Sequence, residues 1–481
     1  MTTREKDDAD VRVTDAEVRR ATAEGIGVKD ALQRAEAVAN ATDIPADSNH
    51  LEIAQAFLVA ILQRTGWHPV AAMGALWTVR KDLWQPWSLD RLAIEVAHLF
   101  AGRAKLCRRG SDFGAIARLV MGLVDEPDFF DQAPPGVAGP TAFWRIVEGG
   151  RIQKEPLTPD HRQRVRISAD PDTGAETPLF DRLLDHAFGD DPDNGQRRLL
   201  RQVMGAALAR TLYLHRIAVM LLGASTSGKS TLLQVLAGMF PRDQVGATSP
   251  QRWDNEYYVA GLAGKALNIV GELDPDHRIP GGPFKTVVGC DVVEGRHPTH
   301  RPFSFVCTAA HFFNANRLPP TVDRSDAFFR RWRVIEFKRS VPPDEVIVDL
   351  ASRILEEEAG GVVAWMLAGA ADAAESGGIV ETAEHAAAIT RWRYANNNAL
   401  QFLLDPDACE LVPDTDPGDL AGQTRGVDLY QAYTKWARNA GVQSFGRNNF
   451  YEAIDEGAGR FGVFRREIDH AVVVVGVRLL S

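Results

Sequence analysis

A nine-residue run of glycine, lysine and hydroxyl side chains at 223–231 limits the possible folds of this chain more than any other segment. The run reads GASTSGKST and fits the pattern G-x-x-x-x-G-K-[ST], whose fixed positions are Gly223, Gly228, Lys229 and Ser230. The apolar run 217–222 precedes it, and the segment 232–239, which has helical periodicity, follows it. The sequence therefore predicts a buried strand, a glycine-rich loop and a helix in direct succession.

This loop is expected to hold the phosphates of a nucleoside triphosphate. Glycines let backbone N–H groups surround phosphate oxygens at a helix N-terminus, where the helix dipole also favours anions. In such a loop the lysine reaches the β- and γ-phosphates and the following hydroxyl holds Mg²⁺. The expected cofactors are ATP and Mg²⁺, and the residues expected to contact them are Gly223, Ser225, Ser227, Gly228, Lys229, Ser230 and Thr231.

A second candidate is the acid that follows the apolar segment 266–270. Enzymes with a phosphate loop place a carboxylate at the end of a neighbouring strand, where it organises Mg²⁺ and orients the attacking water. Glu272 is the candidate for this role and for the metal, with Asp274 as a second acid. The alternative is an acid that only caps an ordinary strand. The phosphate loop upstream favours the functional interpretation.

Polar side chains also follow the apolar segment 302–310, which predicts another buried strand. Asn316 lies just beyond it and is placed to hydrogen-bond the γ-phosphate or the attacking water, unless it and the following prolines only form a turn. Arg330 and Arg331 precede a further strand-like segment. Either arginine can pair with a local carboxylate or serve the nucleotide of a neighbouring subunit as an arginine finger.

Length and composition indicate a multidomain globular protein. A chain of 481 residues suggests about three domains. No apolar run approaches the ~20 residues of a membrane span, and the polar N-terminus has no signal-peptide core, so a cytoplasmic protein is expected, in the host cytoplasm if a phage encodes it. The four cysteines are scattered, without metal-binding spacing. The net charge of −10 argues against coating of nucleic acid by the whole surface but allows a local basic groove.

Changes in composition predict five segments along the chain, in an α/β fold. They are a polar tail at 1–48, a mainly helical N-terminal domain at 49–178, a helical lead-in and ATPase core at 179–345, a helical extension and linker at 346–412, and a small C-terminal unit at 420–481.

Several of these motifs, in this order, resemble superfamily 3 helicases of the phage, plasmid and poxvirus primase-helicase type. The matching segments are 223–230, Glu272, 285–291, 316–319 and Arg330-Arg331. The resemblance covers about 430 residues and implies an AAA+-like α/β ATPase that assembles into a ring, usually a hexamer. It also implies a C-terminal winged helix and ATP-powered 3′-to-5′ movement on single-stranded DNA. One departure is Gly271 before Glu272, where the family has a tandem acidic pair, and another is Cys290, where glycine is usual.

By the same resemblance, Lys229, Glu272 and Asn316 take catalytic roles, and Arg331, or else Arg330, is the finger. The segment 295–301 lies where the family places a DNA-contacting hairpin in the ring channel. Its basic or potentially cationic side chains suit phosphate contact, and they are Arg296, His297, His300 and Arg301.

The C-terminal unit is nearly neutral, so charge alone does not indicate DNA binding. A helix that begins near Arg447 is predicted to enter a major groove, with Arg465 and Arg466 reaching phosphates from the wing. The alternative is a winged helix that contacts protein.

The function predicted is therefore an ATP-dependent DNA helicase of a mobile element, acting on single-stranded and forked DNA. The expected partners include copies of the same chain, with a separate primase or initiator. Primase activity is not expected, because the Asp-Pro-Asp triplets have the character of turns. The alternative function is an ATP-regulated, DNA-binding assembly or loading factor without processive unwinding.

Overall fold

A computed structural model describes residues 28–189, 194–299, 301–413, 422–468 and 470–480. The N-terminal part begins with helices and a small antiparallel sheet. These elements are α1 (Val28–Ala41), α2 (His50–Thr65), β1 (Val70–Ala72), β2 (Ala75–Arg80), β3 (Leu83–Trp87), α3 (Leu89–Phe100) and α4 (Gly110–Leu123). A second antiparallel sheet and two helices follow, namely β4 (Gly136–Ala138), β5 (Phe143–Ile146), β6 (Ile152–Glu155), α5 (Pro178–Phe188) and α6 (Gly195–Leu208).

The middle of the chain alternates strands and helices. Its elements are β7 (Ala218–Gly223), α7 (Lys229–Gly238), β8 (Val245–Gly246), α8 (Glu256–Val259), β9 (Leu267–Val270), α9 (Gly281–Val288), β10 (Val292–Gly295), β11 (Phe303–Val306), β12 (Ala310–Ala315), α10 (Asp326–Phe329) and β13 (Trp332–Phe337). The predicted strand, glycine-rich loop and helix are confirmed as β7, the loop 224–228 and α7.

The remaining elements form the helical extension and the C-terminal unit. They are α11 (Leu350–Glu357), α12 (Ala359–Glu375), α13 (Ala383–Ala395), α14 (Asn398–Leu403), β14 (Cys409–Leu411), β15 (Gln423–Arg425), α15 (Gly426–Asn439), α16 (Arg447–Gly457), β16 (Phe464–Ile468), β17 (Ala471–Val475) and β18 (Val477–Leu479).

A five-stranded parallel sheet lies at the centre of the molecule, with strand order β13-β7-β12-β9-β8. Parallel strands that are buried on both faces have continuous apolar sequences. Strand β7 has such a sequence because its side chains point alternately into two hydrophobic cores. Val219 and Leu221 pack into one hydrophobic cluster, while Met220 and Leu222 pack into another on the opposite face. The predicted mixed α/β fold is therefore confirmed.

The apolar segment 302–310 forms two elements, where the sequence predicted one core strand. Residues 303–306 are β11, which pairs antiparallel with β10 in a hairpin outside the central sheet. The core strand is β12, which starts only at Ala310 and includes Asn314. A continuous apolar run does not reveal where the chain leaves a hairpin and enters a sheet, because apolar residues suit both elements.

The carboxyl ends of β7 and β12 meet at a topological switch point. These strands are neighbours, yet the chain leaves β7 toward the β8 edge and leaves β12 toward the β13 edge. In open parallel sheets, ligands bind in the crevice that such opposed connections leave outside the carboxyl ends of the strands. The glycine-rich loop follows β7, so it lies at this crevice.

The C-terminal unit consists of helices packed against small antiparallel sheets, β15-β17-β16 and β14-β18. Its hydrophobic cluster includes Leu429, Phe450 and Val474, and it extends back along the chain to Ala399 and Leu400 of α14. Helix α14 therefore packs as part of this unit, although the sequence placed the start of the unit at residue 420. No helix in the described ranges is long and apolar enough to cross a membrane.

Helices α6 and α12 approach each other closely enough to require glycine at their contact. A Cβ atom on Gly205 would lie 2.1 Å from the carbonyl oxygen of Met366, and one on Gly369 would lie 2.0 Å from that of Arg201. These neighbours are backbone atoms, which cannot move aside by a rotamer change. The contact fixes α12 against the helix that leads into the central sheet.

We predict that Gly205→Ala lowers the free energy of unfolding by about 1–3 kcal/mol, the usual cost of overpacking a core. Gly114→Ala in α4 is the matched control, because the nearest atom to its added Cβ is a side-chain nitrogen at 3.8 Å. That control should gain about 0.5–1 kcal/mol, since alanine is the better helix former. Denaturant titration measures both values, and equal stability of the two variants would contradict the close helix contact.

Candidate functional site

Two positions in the glycine-rich loop, Gly223 and Gly228, are suited to glycine. Gly228 has a φ of +91° and precedes the first turn of α7. A Cβ on Gly223 would lie 2.2 Å from the carbonyl oxygen of Phe337 in β13, so glycine is required there by close packing. The loop is also tied to the segment after β13, because the Val341 N–H donates to the Thr226 carbonyl at 2.8 Å.

Lys229 points back into this loop. Its ammonium nitrogen donates to the carbonyl oxygens of Gly223 (2.8 Å) and Ala224 (2.6 Å) and to the Ser227 hydroxyl (3.1 Å). Burial lowers the pKa of the Lys229 ammonium, and the charge of the Glu272 carboxylate raises it in part. The loop thus holds a buried cation with an acid of opposite charge nearby.

Side chains from three strand ends meet beside this lysine. The Asn314 amide in β12 donates to the Ser230 hydroxyl at 3.3 Å, and the Asn316 amide donates to the Glu272 carboxylate at 2.6 Å. Ser230 and Glu272 are exposed, so both oxygens are open to a ligand. The structure therefore brings together Lys229, Ser230, Glu272 and Asn316, the residues that the sequence selected separately.

Asp274 is oriented differently from Glu272. Its carboxylate accepts a hydrogen bond from the Asp276 backbone N–H at 2.9 Å and pairs with the His277 ring at 2.6 Å. The Asp276 backbone hydrogen bond, followed by the His277 contact, holds the pKa of Asp274 below its usual range. These contacts close a turn, so Asp274 has a local structural partner for each carboxylate oxygen.

A cavity of about 580 Å³ adjoins the loop, a volume within the range of small-molecule sites. Its walls come from the loop, from helix α5 and from the segment 341–350, and they include the apolar side chains of Leu183, Val341 and Ile347. This cavity could not be predicted from the sequence, because two of its three walls, α5 and the segment 341–350, match no motif and are distant from the loop along the chain.

Arg330 and Arg331 lie at the amino ends of the strands, whereas the loop lies at the carboxyl ends. The Arg331 carbonyl accepts a hydrogen bond from Ala218, the first residue of β7, at 2.7 Å. A strand of six residues spans about 20 Å, so neither arginine reaches the loop of its own chain. Arg331 is half-buried and donates to the Ala327 carbonyl at 2.6 Å, whereas Arg330 is exposed.

The segment after β10 forms the tip of the β10–β11 hairpin. Arg296 pairs with Glu256 of α8 at 3.5 Å, and the His297 ring stacks on Phe303 with centroids 5.1 Å apart. Arg301 is exposed, and His300 lies outside the described residues. Contact of this tip with DNA stays a prediction.

Helix α8 presents two aromatic side chains beside the hairpin. Tyr257 and Tyr258 are 48% and 43% exposed, and Arg252 lies over the Tyr258 ring at 5.0 Å. Exposed aromatic rings next to basic groups are typical of surfaces that bind single-stranded nucleic acid. The two adjacent tyrosines are visible in the sequence, but their position beside the hairpin is not.

The three arginines predicted to contact DNA from the C-terminal unit are in different environments. Arg447 begins α16 and lies 5.9 Å from the Tyr451 ring centroid, and Arg465 pairs with Asp455 at 2.5 Å. Arg466 lies on β16, a strand whose residues are all exposed to solvent in part. Pairing with Asp455 reduces the positive charge that Arg465 offers to a phosphate.

Comparison with protein families matches residues 221–331 to DUF5906, a family of unknown function. No curated protein matches the sequence. Among solved structures, an A form apo structure of the NrS-1 C-terminal region is similar over 90% of this chain and 100% of that one, with 12% identity and a TM-score of 0.44. Two further structures of that region give 13% and 12% identity, TM-scores of 0.42 and 0.43, and the same coverage. These values describe a distant likeness, so function has to be inferred from the site itself.

Proposed function

We propose that this chain is an ATP-dependent DNA helicase that works as a ring in the replication of a phage, plasmid or other mobile element. The central observation is the meeting of Lys229, Ser230, Glu272 and Asn316 at the carboxyl edge of a parallel sheet, beside a cavity. In this proposal the sheet is the AAA+-like P-loop core, and the C-terminal unit is a winged helix.

The residues present fit a nucleoside triphosphate with Mg²⁺. The first N–H groups of α7 have no intrahelical acceptor, and the cation of Lys229 lies beside them, so the loop favours phosphate oxygens. Ser230 and Glu272 offer the oxygen ligands that Mg²⁺ prefers. The metal and the triphosphate supply charge neutralisation and a leaving group. The cavity beside the loop would take the base and sugar.

Glu272 is the residue proposed to orient the attacking water. Its carboxylate is exposed to solvent and held in place by the Asn316 amide at 2.6 Å. Asn316 thus acts on the reaction by fixing the direction of Glu272. Asn314 plays the corresponding part for Ser230, which it contacts at 3.3 Å.

The position of the arginines, at the strand ends away from the loop, supports a nucleotide site that neighbouring subunits of a ring share. An arginine about 20 Å from its own loop can serve only the nucleotide of a neighbouring subunit. Arg330 suits this role better than Arg331, since Arg330 is exposed while Arg331 already caps α10 through Ala327. The proposal therefore assigns the finger to Arg330, the residue that the sequence resemblance placed second.

Single-stranded DNA is proposed to follow the hairpin tip and α8. Arg296 and Arg301 would contact phosphates, while Tyr257 and Tyr258 offer faces on which bases can stack, each worth about 1–3 kcal/mol. Contacts of both kinds read little sequence, as an enzyme that moves along DNA requires. An assembly or loading factor would bind DNA without moving along it, so strand displacement on a tailed duplex separates the two functions.

We predict that Lys229→Ala loses ATP binding and that Glu272→Gln keeps it but hydrolyses ATP slowly. The lysine supplies a phosphate-facing cation, whereas the amide of glutamine retains the size of glutamate without its charge. Binding of a fluorescent ATP analogue and release of phosphate measure the two effects. Turnover at the wild-type rate in Lys229→Ala would contradict the site assignment.

We predict that Arg330→Ala lowers ATP hydrolysis by about 10³–10⁵-fold, the range reported for loss of an arginine finger. Arg331→Ala should act mainly on stability, because its guanidinium contacts its own subunit. Mixed rings of Arg330→Ala and Lys229→Ala protomers should recover activity at interfaces where an intact loop meets an intact finger. If no mixture is more active than the two variants alone, the site is not shared between subunits.

We predict that Arg296→Ala/Arg301→Ala weakens binding of single-stranded DNA while basal ATP hydrolysis persists. Each lost phosphate contact should make the salt dependence of binding shallower by about 0.7 in log–log slope. Arg353→Ala is the matched control, an exposed arginine whose partner is Glu357 on α11. An unchanged affinity and salt slope in the double variant would exclude the hairpin as the DNA contact.

A further inference from the structure

One side chain, that of Gln251, joins the segment before α8 to the loop after β9. Its amide nitrogen donates to the backbone carbonyls of Asp274, at 2.7 Å, and His277. Its amide oxygen accepts a hydrogen bond from the Asp274 backbone N–H at 3.1 Å. A single glutamine thus satisfies three backbone groups of a loop that lies more than 20 residues further along the chain.

The loop held by Gln251 begins at the proposed nucleotide site. Glu272 precedes Asp274 by two residues, and the Leu273 N–H between them donates to the Asn314 carbonyl at 2.8 Å. Asn314 also contacts Ser230, as described above. The loop that Gln251 holds is therefore continuous with the segment that places Glu272 at the ends of β7 and β12.

On its other side, Gln251 is connected to the hairpin through a rigid segment. Trp253, two residues later, is buried and stacked on Phe284, with an interplanar angle of 10°. Glu256 follows in α8 and holds Arg296 twice: its carbonyl accepts from the Arg296 N–H at 3.1 Å, and its carboxylate pairs with the guanidinium at 3.5 Å.

The segment that carries Gln251 is also anchored to the central sheet. The Thr248 N–H donates to the Asn268 side-chain oxygen at 2.8 Å, and the Asn268 amide donates back to the Thr248 carbonyl at 3.0 Å. Asn268 is buried in β9. Because both ends of the segment are fixed, a displacement at Gln251 is passed to α8 instead of being absorbed by a flexible loop.

We propose that Gln251 couples the nucleotide site to the hairpin, so that each ligand changes the affinity for the other. The inference rests on the proposed function for the identity of the two ligands. Gln251 touches neither of them and is a positioning residue. Since coupling between two binding equilibria is reciprocal, the same fold-change must appear whichever ligand is added first.

The test is the affinity of a labelled oligothymidine for the full chain, measured by fluorescence anisotropy with and without Mg²⁺ and ATPγS. The ratio of the two dissociation constants is the coupling, which for allosteric proteins is commonly about 5–150-fold. In Gln251→Ala this ratio should fall to about twofold or less. The affinity for DNA alone and the affinity for ATPγS alone should each stay within about twofold of the wild type.

Two further variants separate coupling from damage to the fold. Gln251→Met keeps the length of the side chain without its hydrogen bonds and should reproduce the loss. Gln244→Ala removes a glutamine from the preceding helical turn whose side-chain amide donates to the Asp243 carboxylate at 3.3 Å, and it should keep the wild-type ratio. DNA-stimulated ATP hydrolysis should follow the same order, lost in both Gln251 variants and kept in Gln244→Ala.

The outcomes distinguish this inference from the proposed function. A wild-type ratio in both Gln251→Ala and Gln251→Met would overturn the role of Gln251. A ratio near one in the wild-type chain, with both ligands bound, would overturn coupling but leave the two sites intact. Failure of the wild-type chain to bind ATPγS or oligothymidine would reject the proposed function itself.

Discussion

The rest of the structure depends on the burial of β7 on both faces of a parallel sheet. Its alternate side chains enter two separate hydrophobic clusters. A change in the register of this strand would therefore disrupt the packing of both clusters. Fixing β7 fixes the glycine-rich loop at its carboxyl end. Because neighbouring strands run parallel, the ends of β9 and β12 reach the same edge, and Glu272 and Asn316 lie close together as a consequence.

The same sheet separates two sets of charges. The buried cation of Lys229 and the exposed carboxylate of Glu272 lie at the carboxyl ends of the strands, while Arg330 and Arg331 lie at the amino ends. A parallel strand keeps these two ends about 20 Å apart whatever the loops do. In the proposed ring, the arginines of one subunit would face the glycine-rich loop of the next, so hydrolysis would depend on assembly.

The sequence predicted best what is determined locally. The glycine-rich loop, its strand and its helix follow from glycine spacing and apolar periodicity within about 25 residues. The segment 302–310 was assigned to one strand, since nothing in its apolar pattern marks the change of partner from β10 to β7 and β9. The cavity and the Gln251 contacts were not predicted either. Both arise from tertiary contacts between segments that are distant along the chain, and α5, the segment 341–350 and Gln251 belong to no motif.

The most direct test of the account is amide hydrogen exchange of the full chain with and without Mg²⁺ and ATPγS. The first N–H groups of a helix have no intrahelical acceptor, so they exchange readily until phosphate oxygens bind them. Bound nucleotide should slow amide exchange across residues 224–231 more than it slows exchange in α16. Unchanged exchange at 224–231 in the presence of bound nucleotide would contradict the account.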